Sequence, residues 1–147
     1  MYGALDTSTS GLVAQRTRLT AIADNIANQN TLLGPDGSYK PFQARAVLFS
    51  EGDAASGSAS GVTAQVIKTE SWRWADPSDP GEQIPQHVVE QARVAGMVNS
   101  EGMVRVPEVN EVSQFVDAME ALRSYEANIS VADATKRMID SALQLLA

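Results

Sequence analysis

The last quarter of the chain places the strongest constraint on its fold. From Asn110 to Leu146 no proline or glycine intervenes, and apolar or small residues recur on a heptad. Phe115, Leu122, Ile129 and Leu143 fall seven or fourteen apart, and Ala118, Tyr125, Ala132, Ile139 and Leu146 follow that register three residues later. Lys136 is the one break in the seam. The pattern predicts a single helix of up to about 37 residues, roughly 55 Å long. Asn110 is placed to cap it, and acidic residues in its first turn complement the helix dipole.

The other end of the chain offers a partner. Leu5, Leu12, Leu19 and Ile26 are spaced by seven, with Ile22 three after Leu19, so a helix is predicted from Asp6 or Thr7 to about Asn28. Thr7 to Ser10 supply N-cap candidates, and Gly11 weakens the first turn. A stripe this narrow suits another helix better than a sheet. The expected fold class is therefore α+β: long N- and C-terminal helices in an antiparallel, coiled-coil-like pair, with a small β-rich domain inserted between them. The corresponding segments are residues 1–31, 32–107 and 108–147. Chain ends usually fray, so apolar seams reaching Leu5 and Leu146 imply that both ends are covered, by each other or by neighbouring subunits.

The first helix ends in a run of amides, Asn25-Ile26-Ala27-Asn28-Gln29-Asn30. Two readings fit it: a C-terminal cap and turn, or a polar ladder in which Asn25 and Asn28 bond a neighbouring helix. Spacing does not separate them. Gly34-Pro35-Asp36-Gly37 is a strong turn signal, and Gln43 to Phe49 alternates as a short strand. Residues 51–61 form a small-residue linker, and Val62 to Trp74 resumes as an extended segment in which Gln65-Val66-Ile67 and Trp72-Arg73-Trp74 share a small sheet face. Asp76 to Glu82 is an acidic turn, Val88 to Val98 has mixed periodicity, and Met103 to Val106 is a short strand stopped by Pro107.

Chemistry is excluded more readily than it is found. The chain has no cysteine, so thiol catalysis, disulfides and the commoner zinc sites lack their residues; a His-based triad, base or metal cluster would have to be assembled around the one histidine, His87, which reads better as a surface residue. Glu111, Asp117, Glu120 and Glu126 read as a solvated charged face, with no histidine at ligand spacing. No catalytic residue, cofactor or metal is expected, and the chain is not expected to be an enzyme. The net charge is −7, with nine acidic against six basic residues in 32–107 and seven against three in 108–147. That balance argues against nucleic acid and against insertion in or adsorption to a membrane. Residues 1–31 lack the basic start and continuous apolar core of a cleavable secretory signal. Trp72 and Trp74 lie on one side of a strand, so a stand-alone binding or adaptor module using the middle domain is the alternative.

Two blocks are recognisable. Leu19-Thr20-Ala21-Ile22-Ala23-Asp24-Asn25-Ile26-Ala27-Asn28, followed by Thr31, matches the A-x-N-I-A-N signature of the axial proteins of the bacterial flagellum. Ala121-Leu122-Arg123-Ser124-Tyr125-Glu126-Ala127-Asn128 is similar to their A-x-R-x-Y-x-A-N block. Within that group, Gly34 to Tyr39 and Gly102 to Asn110 resemble the turns of the proximal-rod type of basal-body rod protein. Gln91 to Gly96, Met103 and Glu108 depart from the family pattern.

The resemblance implies a structural subunit that polymerises with copies of itself and with other rod proteins into the tube transmitting motor torque. It also implies passage through the flagellar type III export apparatus without a cleavable signal, and a place in a rod spanning the periplasm. The subunit-interface residues expected on this basis are Leu5, Leu12, Leu19, Ile22, Asn25, Ile26 and Asn28 in the first helix. In the last helix they are Phe115, Leu122, Arg123, Tyr125, Asn128, Ile129, Lys136, Ile139, Leu143 and Leu146. Lys136 is expected to face a carboxylate on a neighbouring subunit.

Overall fold

The computed structural model describes residues 2–52, 61–82 and 84–146, and their side chains except those of Tyr2, Ala4 and Leu146. In chain order the elements are α1 (Tyr2–Asn28), β1 (Arg45–Glu51), β2 (Val62–Lys68), β3 (Trp72–Ala75), α2 (Gln86–Val94), β4 (Val104–Pro107) and α3 (Glu111–Leu146). The class is α+β with long terminal helices, of 27 and 36 residues, and two two-stranded sheets, β1-β2 and β3-β4. Most of the expected small-residue linker, residues 53–60, lies outside the described residues.

The chain divides into two compact units. The first comprises residues 1–23, 46–67 and 112–147, the second residues 24–45 and 68–111. The β1-β2 hairpin thus groups with the bulk of the terminal helices.

In the first unit α1 begins at Tyr2, earlier than the cap candidates suggest. The hydroxyls counted as caps bond backward inside the helix: Thr7 Oγ1 donates to the Gly3 carbonyl at 2.8 Å and Ser10 Oγ to the Thr7 carbonyl at 2.7 Å. A hydroxyl satisfied on the preceding turn does not stop a helix. Ser10 Oγ also accepts from the Val62 amide at 3.0 Å, tying the start of β2 to α1.

The second unit has a core of Tyr39, Ala75, Ile84, Val88, Ala92, Val104 and Val106. β3 and β4 are antiparallel, with Ala75 opposite Val104 and Trp74 opposite Arg105. Alternation along β4 sends Val104 and Val106 into the core and Arg105 to the other face. Trp72 and Trp74 join it there, and the Arg105 guanidinium lies 5.6 and 5.4 Å from their ring centres. Neither tryptophan forms the core. α2 occupies the stretch of mixed periodicity; Val88 and Ala92 are buried while Val94 is exposed, and nine residues with so short a buried stripe carry little phase. The run from Val62 to Trp74 breaks at Thr69, whose amide bonds the Ala44 carbonyl, so its two halves enter different sheets and do not share a face.

Turn chemistry is local. Gly37 has φ of 75°, and Asp36 Oδ1 accepts from the Ser38 hydroxyl at 2.7 Å, which lowers its pKa. Tyr39 seals the core by donating its hydroxyl to the Arg105 carbonyl at 2.7 Å, and burial raises its pKa to about 12. A raised tyrosine pKa means that the folded state holds a proton the unfolded chain releases near pH 10, so its contribution to stability is full below pH 10 and is lost as pH climbs through about 12. Tyr39→Phe should cost about 1 kcal/mol at neutral pH and flatten that alkaline loss. Guanidinium unfolding of both forms at neutral and alkaline pH measures both effects.

Candidate assembly surface

The burial pattern along α3 is a heptad, but its phase is partly new. The less exposed positions are Gln114, Ala118, Ala121, Tyr125, Asn128, Ala132, Thr135, Ile139 and Ala142, alternating by four and three, with Asp117 and Ser124 beside them. The series through Ala118, Tyr125, Ala132 and Ile139 coincides with half of the expected seam. Its complement runs through Ala121, Asn128 and Thr135. Phe115, Leu122, Ile129 and Leu143 are instead exposed, at 51%, 48%, 40% and 60%. Lys136 shares their exposed series and interrupts no inward seam.

The reason is the size of the residues that meet α1. Ala14, Ala21 and Ile22 are buried in α1, and Ala121 is fully buried in α3. A Cβ placed on Gly11 would lie 2.9 Å from the Asn128 side-chain nitrogen, so the helices approach closely there. Two turns on, Arg18 reaches Asp117 at 3.2 Å and Glu120 at 3.5 Å. These contacts pair residue 11 with 128 and residue 18 with 117 and 120, in opposite order along the two helices. Asp117 and Glu120, read from sequence as a solvated face, thus engage a partly buried arginine. The bulky apolar residues point elsewhere: Val112, Val116, Met119, Val131, Met138 and Leu145 are exposed as well. Val131, Met138 and Leu145 are themselves spaced by seven.

Leu5, Leu12 and Leu19 of α1 are partly buried, and Ile22 is 6% exposed. Arg123 is exposed, Tyr125 and Ile139 are partly buried on the inward series, and the Leu146 side chain is outside the described set.

In the second unit the amide run resolves residue by residue. Asn28 is a C-terminal cap: its Nδ2 donates to the Asp24 carbonyl at 2.9 Å, and Thr31 bonds back to it through both its amide and its hydroxyl. Asn25 is 2% exposed and bonds a strand end: its Nδ2 donates to the Arg45 carbonyl at 2.8 Å, and its Oδ1 accepts from the Arg45 amide at 2.7 Å. One side-chain amide thereby imitates a strand neighbour, and the Asp24–Arg45 ion pair lies alongside. Ile26 is partly buried. A pocket of about 580 Å³ with a mixed lining adjoins this corner: Gln29, Asn30 and Thr31 and the Arg73–Glu82 ion pair line it together with Leu33, Ile84 and Val88.

The segments that build these features are those that known proteins share. Residues 5–32 match the family model described as flagella basal body rod protein, and residues 100–145 match that of the flagellar basal body rod FlgEFG protein C-terminal region. The chain is 35% identical to the flagellar basal-body rod protein FlgC of Salmonella typhimurium, with 95% of this chain and 93% of that one covered. It is 30% identical to FlgC of Bacillus subtilis, covering 98% and 97%.

The chain belongs to the FlgC family of flagellar basal-body rod proteins.

It is a structural subunit of the basal-body rod, and the two recognition blocks carry the geometry described above. Asn25 and Asn128, motif residues expected at subunit contacts, both act within the chain here. Asn25→Ala leaves the Arg45 amide and carbonyl without their partner and should destabilise the fold by about 2–4 kcal/mol, whereas exposed Arg123→Ala stays within about 0.5 kcal/mol. Denaturant unfolding of the two variants separates them.

Proposed function

We propose that this chain is a proximal-rod subunit whose α1/α3 pair is an antiparallel, coiled-coil-like core that polymerises through its outer apolar face. Residues 1–31 and 108–147 supply the rod core, and residues 32–107 the smaller domain inserted between them. Its neighbours are copies of itself and other rod proteins, and together they form the periplasm-spanning tube that transmits torque. The type III export apparatus delivers it there without a cleavable signal.

The observation that carries this reading is the distribution of bulk on α3. Small and polar residues face α1, while Phe115, Met119, Leu122 and Ile129 remain 40–54% exposed. A monomer rarely leaves so many large apolar side chains of one helix uncovered. Completing the burial of each such side chain contributes a share of the roughly 1.5–3 kcal/mol that full burial supplies. Summed over a helix, that energy is released only on assembly. The reversed order of the Gly11–Asn128 and Arg18–Glu120 contacts supports the antiparallel core. Lys136, exposed on the same series as Leu122 and Leu143, is positioned for a carboxylate on a neighbour.

Leu122→Glu tests this directly. The residue is half exposed in the single chain, so the unfolding free energy should change by no more than about 0.5 kcal/mol. Incorporation into basal bodies and swimming should be lost. Wild-type rods assembled from the variant would overturn the proposal.

A further inference from the structure

The exposed apolar residues of α3 do not form one stripe. In a heptad helix the position after one inward series and the position before the other lie on opposite sides of the seam. Taking Gln114, Ala121, Asn128 and Thr135 as one inward series and Ala118, Tyr125, Ala132 and Ile139 as the other, the two flanks are chemically different. The first flank is apolar at Phe115, Leu122 and Ile129, turns polar at Lys136 and is apolar once more at Leu143. The second is polar at Asp117, which Arg18 occupies, and at Ser124, and then apolar at Val131, Met138 and Leu145. Each flank thus carries a triplet spaced by seven, at opposite ends of the helix, and the last two residues of the second are 64% and 88% exposed.

We propose that the first flank of one copy packs on the second flank of the next copy, in a parallel, head-to-tail contact between α3 helices. This rests on the rod-subunit reading and specifies how it is achieved. A two-fold symmetric contact would set like flank on like flank and leave the other triplet in water, whereas a heterologous contact covers both and repeats without closing. The occupant is a second copy because both halves belong to one chain and match in length and spacing. The polar bounds set the register: Phe115 meets Val131, Leu122 meets Met138 and Ile129 meets Leu145. Each pair differs by sixteen residues, so successive copies are displaced along the helix by about 24 Å. A shift of one heptad less would place Phe115 on Ser124 and Lys136 on Leu145.

The chain has no cysteine, so engineered thiols report without background from its own sequence. Leu122→Cys and Met138→Cys, each in a full-length chain with its own tag, are co-expressed and oxidised in isolated basal bodies. The expected result is a mixed disulfide dimer carrying both tags, with neither version dimerising with itself. Phe115→Cys with Val131→Cys should behave likewise, and Leu122→Cys with Val131→Cys should not cross-link. Self-dimers of either version would show a symmetric contact and overturn the proposal. So would a disulfide to a different rod protein, or basal bodies containing both versions without the mixed dimer; these last outcomes leave the rod-subunit reading standing. Absence of the untagged wild-type chain from basal bodies would overturn both.

Discussion

The close approach of α1 and α3 near Gly11 and Asn128 governs the rest of the first unit. At that point there is no room for a Cβ on residue 11, and Ser8, Ala14, Ala21 and Ala121 are among the buried residues of the two helices, with Ile22 and Thr135 the larger ones. A seam of small residues buries little apolar area per turn and leaves the large side chains of α3 on the outside.

The second unit is built differently. Its core includes Val104, Val106, Val88 and Tyr39, and in its turns the backbone amides of Ser38, Ser78, Gly81 and Glu101 donate to the side chains of Asp36, Asp76, Asp79 and Asn99. Asn25 closes the corner where α1 ends and β1 starts, so a residue in the recognition motif serves the fold of the single chain. Arg105 stacks with both tryptophans on the outer face of β3 and β4, which gives Trp72 and Trp74 a packing role without a ligand.

Much of this was legible in advance, for reasons that can be located. Periodicity exposed the two long helices because 36 residues without a breaker leave no other regular structure, and Gly34 to Gly37 announced a turn because proline and glycine restrict the backbone locally. The α2 helix was not legible: Val88, Val89 and Val94 share no helical phase, and it is held by β4. The partition of the Val62–Trp74 run was also hidden. Two strands of similar composition pair with partners far apart in sequence, and nothing within the run names those partners.

By itself the sequence determined that two long helices flank a smaller mixed segment, that half of the α3 seam runs through Ala118, Tyr125, Ala132 and Ile139, and that no thiol or histidine chemistry is available. Only the tertiary structure decided which side of that seam turns inward. A hydrophobic pattern marks residues that avoid water without saying whether their cover comes from the same chain or from another. Phe115, Leu122, Ile129 and Leu143 satisfy the heptad as well as any core residue. They lie outside because the close approach of the two helices falls at Gly11 and Asn128, which turns the Ala121–Asn128 side of α3 inward.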